Sequence, residues 1–105
     1  MLAMNIFCCT DGHSILDCNN YELLNKPPYH VEIGNHVWLG RNVTLLKSAS
    51  IPDNCVVGIN ATVTKHFNKQ NCVIAGNPAK IVKENINWNG CMPSEYDKNT
   101  IDRTF

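Results

Sequence analysis

The amino-acid sequence predicts an all-β parallel β-helix built from six-residue repeats, with a protruding loop and a short C-terminal helix as a cap. Three observations predict it. Aliphatic residues recur every six positions, at Ile33, Leu39, Leu45, Ile51, Val57 and Val63. Four positions further in each hexad stand Val37, Val43, Ala49, Cys55, Ala61 and Phe67, small or aliphatic up to the bulkier Phe67. Glycine follows three of the frame residues, as Gly34, Gly40 and Gly58.

A period of six is neither the 3.6 of a helix nor the two of a strand, and a sustained short period marks a solenoid. One hexad makes one flat face. A short strand points its aliphatic residue inward, then a turn follows in which Gly or Asn accepts backbone angles that other residues resist. Three faces close one triangular coil, so residues 33–50 and 51–68 form two stacked coils. Their strands lie at the usual separation of about 4.8 Å, and the aliphatic column becomes a continuous core.

The remaining segments follow in order. "MNIFCCTDGHSIL" (4–16) is apolar enough to form part of a further coil of unassigned register. Residues 17–32 break the frame: Pro27-Pro28 forbids helix and regular ladder bonding, and Asn19-Asn20 is turn chemistry. This stretch reads as an excursion between coils, and solenoid excursions often carry the binding face. After Pro78, apolar residues at 79, 82 and 86 predict a short helix across the open coil end, a cap over residues 78–86 that hides strand edges. Trp88 is expected to pack that cap. The domain thus spans 1–88, and the tail 89–105 is polar and aperiodic.

With 105 residues the chain fits one domain, whose small core makes help from a partner subunit reasonable. Nine basic and nine acidic residues give zero formal charge, so nothing global argues for nucleic acid or a membrane surface. No apolar run reaches membrane-spanning length. The opening "MLAMNIFCC" lacks a basic stretch and is short, which argues against a cleaved signal peptide and for a cytoplasmic protein. None of the six cysteines is spaced as a zinc knuckle requires, so each reads as a reduced, small, buried hydrophobe.

Three segments, "TDGHSI" (10–15), the hexad run 33–67 and "IAGNPAKIVKENINW" (74–88), together resemble the hexapeptide-repeat acyltransferases, in particular the branch that acetylates sugar hydroxyls of surface polysaccharides. The resemblance covers roughly residues 6–88. It implies left-handed winding, transfer of an acetyl group from acetyl-CoA to a hydroxyl without a metal, and a homotrimer with active sites between subunits. Relatives carry more N-terminal coils ahead of the "DGHS" segment than this chain does.

The implied reaction needs a base of near-neutral pKa, because a sugar hydroxyl is too weakly acidic to attack a thioester unaided. His13 stands where the family's catalytic His falls. Direct attack in a ternary complex is implied, so no cysteine need act as a nucleophile. Asp11, two residues earlier, is a candidate for fixing the His13 tautomer, as is a backbone carbonyl. Oxyanion stabilisation is expected from a backbone N–H. His30, in the excursion, is a candidate acceptor contact. His36 and His66 fall at turns facing solvent or an interface.

Between Asn54 and Lys83 there is no acidic residue, whereas Lys65, Lys69, Lys80 and Lys83 supply positive charge suited to the phosphates of CoA. A solvated cationic face would have the same composition. In the family the "VTK" and "GNPAK" segments line the CoA groove, which carries that role onto Thr64, Lys65 and Lys80. Gly76 and Pro78 would shape the wall beside the adenine, with Gly58 and Ala61 leaving room for the pantetheine arm. Ile59-Asn60 replaces smaller residues of relatives and would narrow that groove. Trp38 should project outward, either into a subunit contact or as a face on which a sugar stacks.

Three rivals share the architecture. A γ-carbonic-anhydrase-like enzyme needs three converging His, and the positions 13, 30, 36 and 66 argue against it. A non-catalytic, truncated β-helix acting as an assembly module would retain the hexads without turnover. A nucleotidyltransferase would need a nucleotide-binding portion not evident here.

Overall fold

A computed structural model of the chain describes residues 3, 6–8, 12–26 and 30–100. Among the described residues there are nine short strands, of which the first eight make a parallel β-helix: β1 (Phe7–Cys8), β2 (Glu32–Ile33), β3 (Trp38–Leu39), β4 (Thr44–Leu45), β5 (Ser50–Ile51), β6 (Val56–Val57), β7 (Thr62–Val63) and β8 (Val73–Gly76), followed by β9 (Ala79–Lys83). They form three sheets, ordered β1-β4-β7, β2-β5 and β3-β6-β8-β9. Each coil contributes one strand to each face, which is the architecture a period of six demands.

Register matches the repeat. Ile33 pairs with Ile51, Leu39 with Val57 and Leu45 with Val63, every pair parallel and 18 residues apart. Phe7 pairs with Thr44, so β1 belongs to the preceding coil, and the 37 positions between them hold one 18-residue turn of the coil plus an insertion. Val56 pairs with Val73, one residue short of the repeat, where the frame ends.

The core is the column of frame residues and their partners. Val37, Leu39, Val43, Leu45, Ala49, Ile51, Cys55, Val57, Ala61 and Val63 are all 0–1% exposed, with Phe67, Cys72, Ile74 and Ala79 continuing the stack. Each fully buried Leu, Ile or Val contributes about 1.5–3 kcal/mol, which lets a coil with two-residue strands hold its shape.

The corners divide their work between two residue types. His36, Asn42, Ser48, Asn54 and Asn60 recur every six positions with φ between 54° and 62°. Asn tolerates that left-handed region better than most residues, so it carries the bend. Gly34 and Gly40 serve a different need, close approach of successive coils: a Cβ on Gly40 would lie 2.7 Å from the Ile59 nitrogen, and one on Gly34 would strike the Asp53 side chain and lie 2.8 Å from its nitrogen. The corner is knitted by the Asn35 N–H donating to Asp53 Oδ1 at 2.7 Å and by His36 Nδ1 beside Asn54 Oδ1 at 3.0 Å.

The expected helical cap is not there. Residues 79–83 form β9, which turns back at Asn77-Pro78 and pairs antiparallel with β8. The terminal strand β8 would otherwise expose a row of unpaired N–H and C=O groups, and a hairpin satisfies them directly where a helix would only cover them. Ala79 and Ile81 face the core while Lys80 and Val82 face out, an alternation that fits a strand. Trp88 accordingly packs on no helix: its ring stacks on His36, centroids 4.0 Å apart, and Nε1 donates to the His36 carbonyl at 3.0 Å. A single 3₁₀ turn, Pro93–Glu95, follows. Among the described residues no helix is long and apolar enough to cross a membrane.

Candidate active site

The segment bearing His13 is held by contacts within residues 13–25. Leu16 and Leu23 form an antiparallel bridge, the Leu24 N–H donates to the Ile15 carbonyl at 2.7 Å, and Asp17 caps the turn through the N–H groups of Asn19 and Asn20. Asn25 ties this hairpin-like lobe to the His13–Ile15 segment. Its Oδ1 accepts from the Ile15 N–H at 2.7 Å, its Nδ2 donates to the His13 carbonyl at 2.9 Å, and it is 7% exposed. A buried amide using both ends on one segment fixes that segment's position. The His13 side chain is left exposed, free to meet a ligand or another subunit. Asp11 lies outside the described residues.

His30 and His66 border a small cleft of about 150 Å³ with Glu32, Ser48 and Ser50. Its main polar contact is the exposed pair of His30 Nε2 and Glu32 Oε1, 3.0 Å apart. Among the described residues no group of three His, Cys, Asp or Glu could hold a metal ion.

The residues assigned by resemblance to CoA fall into two places. Gly58 abuts Ala75, Ala75 pairs with Lys80, and Gly76 pairs with Ala79, so Gly58, Gly76, Pro78 and Lys80 gather on the β6-β8-β9 sheet and its turn. On the same sheet an open groove of about 470 Å³ runs past Trp38, Gly40, Arg41, Gly58 and Ile59. Thr64 and Lys65 follow β7, on another face; Lys65 Nζ lies 5.1 Å over the Phe67 ring. The Ala61 side chain points into the core at 1% exposure and can bear on a groove only through its backbone. Of the four lysines read as a cationic face, Lys69 is engaged by Glu84 at 3.1 Å. Ile59 is 65% exposed and projects from the groove's rim.

Trp38 projects outward at 41% exposure, its ring 5.9 Å from that of Trp88. Cys55 is sealed in the core, and burial pushes its thiol above the ordinary value of 9.0 with Cys72 and Asp53 adding to the shift and backbone hydrogen bonds opposing it. That is the chemistry of an inert structural cysteine.

Two structural features near these residues are not apparent from sequence. Asn25 is one polar residue among many in a frame-breaking segment, and nothing local marks it as buried. Tyr96 lies in the tail, where the absence of periodicity hides its approach to Trp38 and Trp88.

A scan against protein-family models finds no match. Sequence and structure comparisons do. The polysialic acid O-acetyltransferase of Neisseria meningitidis is 51% identical over 98 residues, covering 91% of this chain and 45% of that protein. A crystal structure of a polysialic acid O-acetyltransferase superimposes with a TM-score of 0.79 at 48% identity, over 95% of this chain and 46% of that one. The chain belongs to the hexapeptide-repeat acyltransferases. A galactoside acetyltransferase crystallised with coenzyme A shares the coil at a TM-score of 0.61 and 32% identity, over 78% of this chain and 40% of that one. This chain spans less than half the length of each of these relatives.

Proposed function

We propose that the chain is an O-acetyltransferase domain that moves an acetyl group from acetyl-CoA to a hydroxyl of a sialic-acid-containing polysaccharide. The observation that carries this reading is the 51% identity to a polysialic acid O-acetyltransferase over nearly the whole chain. The coil is left-handed in this reading, and the working unit is a cytoplasmic homotrimer. One subunit contributes His13, and its neighbour contributes most of the CoA wall.

His13 Nε2 takes the proton of the acceptor hydroxyl as its oxygen attacks the thioester carbonyl. The tetrahedral intermediate collapses with cleavage of the C–S bond, and the same nitrogen returns the proton to the departing thiolate of CoA. Anchoring the His13 carbonyl through Asn25 supports this role, because a general base must be held within hydrogen-bond reach of the proton it moves. Asp11 or a main-chain carbonyl sets the tautomer, and His30 contacts the acceptor. Gly58 and the backbone at Ala61 make space for the pantetheine arm, Gly76 and Pro78 flank the adenine, and Thr64, Lys65 and Lys80 meet the phosphates. Trp38 borders both the groove and the acceptor side.

The test is transfer of labelled acetyl from acetyl-CoA to a panel of sialic acid polymer, galactosides and neutral oligosaccharides, with the product recovered as a base-labile ester. Label on the sialic acid polymer is expected. Label on none of the acceptors, from a folded protein that binds CoA, overturns the reading.

A further inference from the structure

The segment after β9 builds a cavity that the acetyl-transfer chemistry does not use. Trp88 is fixed by its stack on His36 and its bond to the His36 carbonyl, and the chain then passes through the Pro93–Glu95 turn to bring Met92 and Tyr96 opposite Trp38. The space is a half-open pocket of about 540 Å³, within the volume range of small-molecule sites. Met92 is 64% and Tyr96 52% exposed, an unusual outlay of large apolar surface for a segment otherwise so polar.

Two amides complete the lining. Asn87 Oδ1 accepts from the Trp88 N–H at 2.9 Å, and Asn89 Oδ1 accepts from the Cys91 N–H at 3.0 Å. With both oxygens committed to holding the loop, the two NH₂ groups remain as donors beside the cavity. Among the described residues no charged side chain lines it, which suits neither the phosphates nor the ribose phosphate end of a nucleotide. Flat aromatic faces with fixed amide donors suit a pyranose ring: its C–H face stacks on indole or phenol, and its hydroxyl or carboxylate oxygens accept from the amides. The cavity shares Trp38 with the groove past Gly40 and Gly58, so a ring bound here lies next to that groove.

We infer that the cavity between Trp38, Trp88 and Tyr96 is a subsite for a sugar ring of the acceptor glycan other than the one being acetylated. It thereby favours polymers over single sugars. The inference rests on the proposed function for the identity of the glycan, and its test separates the two.

Trp38 and Trp88 are the chain's two tryptophans and both line the cavity, so intrinsic fluorescence reports its occupancy directly. The full chain is titrated with a size series of sialic acid, from monomer through short oligomers to polymer, and compared with Tyr96→Ala and Asn87→Ala, each checked for an unchanged thermal midpoint. Saturable fluorescence change that tightens with length, weakened about tenfold by Tyr96→Ala, is expected from loss of one aromatic face. In turnover, Tyr96→Ala should raise KM for polymer about tenfold while leaving KM for acetyl-CoA and kcat unchanged. Equal binding by the wild type and both variants, or a rise in KM for acetyl-CoA instead, overturns the subsite. Length-dependent binding without acetyl transfer upholds the subsite and overturns the enzyme reading.

Discussion

Replacing Gly40 by Ala puts a methyl group where the next coil already stands. The new Cβ would lie 2.7 Å from the Ile59 nitrogen and 2.9 Å from the Gly58 carbon and the Val57 oxygen, all backbone atoms that cannot rotate away. The coils must separate locally by several tenths of an ångström. The Gly40 N–H to Val57 carbonyl bond, now 2.8 Å, is stretched with them. Overpacking of this kind costs about 1–3 kcal/mol, and the weakened ladder bond adds about 1 kcal/mol, giving about 2–4 kcal/mol in all. For a domain of this size that lowers the melting midpoint by roughly 10–20 °C. Gly90→Ala is the control, since a methyl group there would meet nothing within 4 Å, and it should change stability by less than about 0.5 kcal/mol. Urea denaturation followed by circular dichroism, at one fixed protein concentration, measures both variants. Gly40→Ala within about 0.5 kcal/mol of wild type would refute the claim that glycine here serves inter-coil contact.

Other consequences follow from the same geometry. Asn60→Gly should leave stability unchanged or slightly raised and Asn60→Val should lower it by about 1–2 kcal/mol, because φ is 60° at that corner; thermal melts compare the two. Asn25→Ala removes both anchors of the His13–Ile15 segment and orphans the Ile15 N–H, costing the lobe about 1–3 kcal/mol. Limited proteolysis should then cut within residues 12–26 while the coil's melting midpoint stays put. In the native protein Cys18 should react with iodoacetamide at pH 8 and Cys55 should not, as mass mapping would read. Because the Cys55 thiol is raised above 9.0 on folding, its contribution to stability is complete below that value and declines as pH climbs past it, so alkaline melts should fall faster for wild type than for Cys55→Ala.

The coils are legible because a buried column in a solenoid writes its period directly into the chain: each of Leu39, Leu45, Ile51, Val57 and Val63 must be aliphatic to fill the core, whatever the turns do. The cap reads wrongly as a helix because Ala79, Val82 and Ile86 satisfy helical spacing as well as Ala79, Lys80, Ile81 and Val82 satisfy alternation. The unpaired edge of β8 decides between them, and that is a tertiary fact. Corner chemistry is half visible. Asn at φ > 0 is expected, yet His36 and Ser48 take the same angle, and Gly34 and Gly40 answer to crowding between coils 18 residues apart. Of the candidate site, the proposed base His13 and the GNPAK turn stand out as motifs. Asn25 and Tyr96 do not, since their partners arrive from distant parts of the chain, His13 and Ile15 for the one and Trp38 for the other.

The most direct test of the central claim is free-thiol release from acetyl-CoA in the presence of sialic acid polymer, compared between the wild type and His13→Ala after both are shown to melt alike. Acceptor-dependent release in the wild type, reduced at least about a hundredfold in His13→Ala, is the predicted result. Equal rates in the two proteins would contradict the assignment of His13 as the general base.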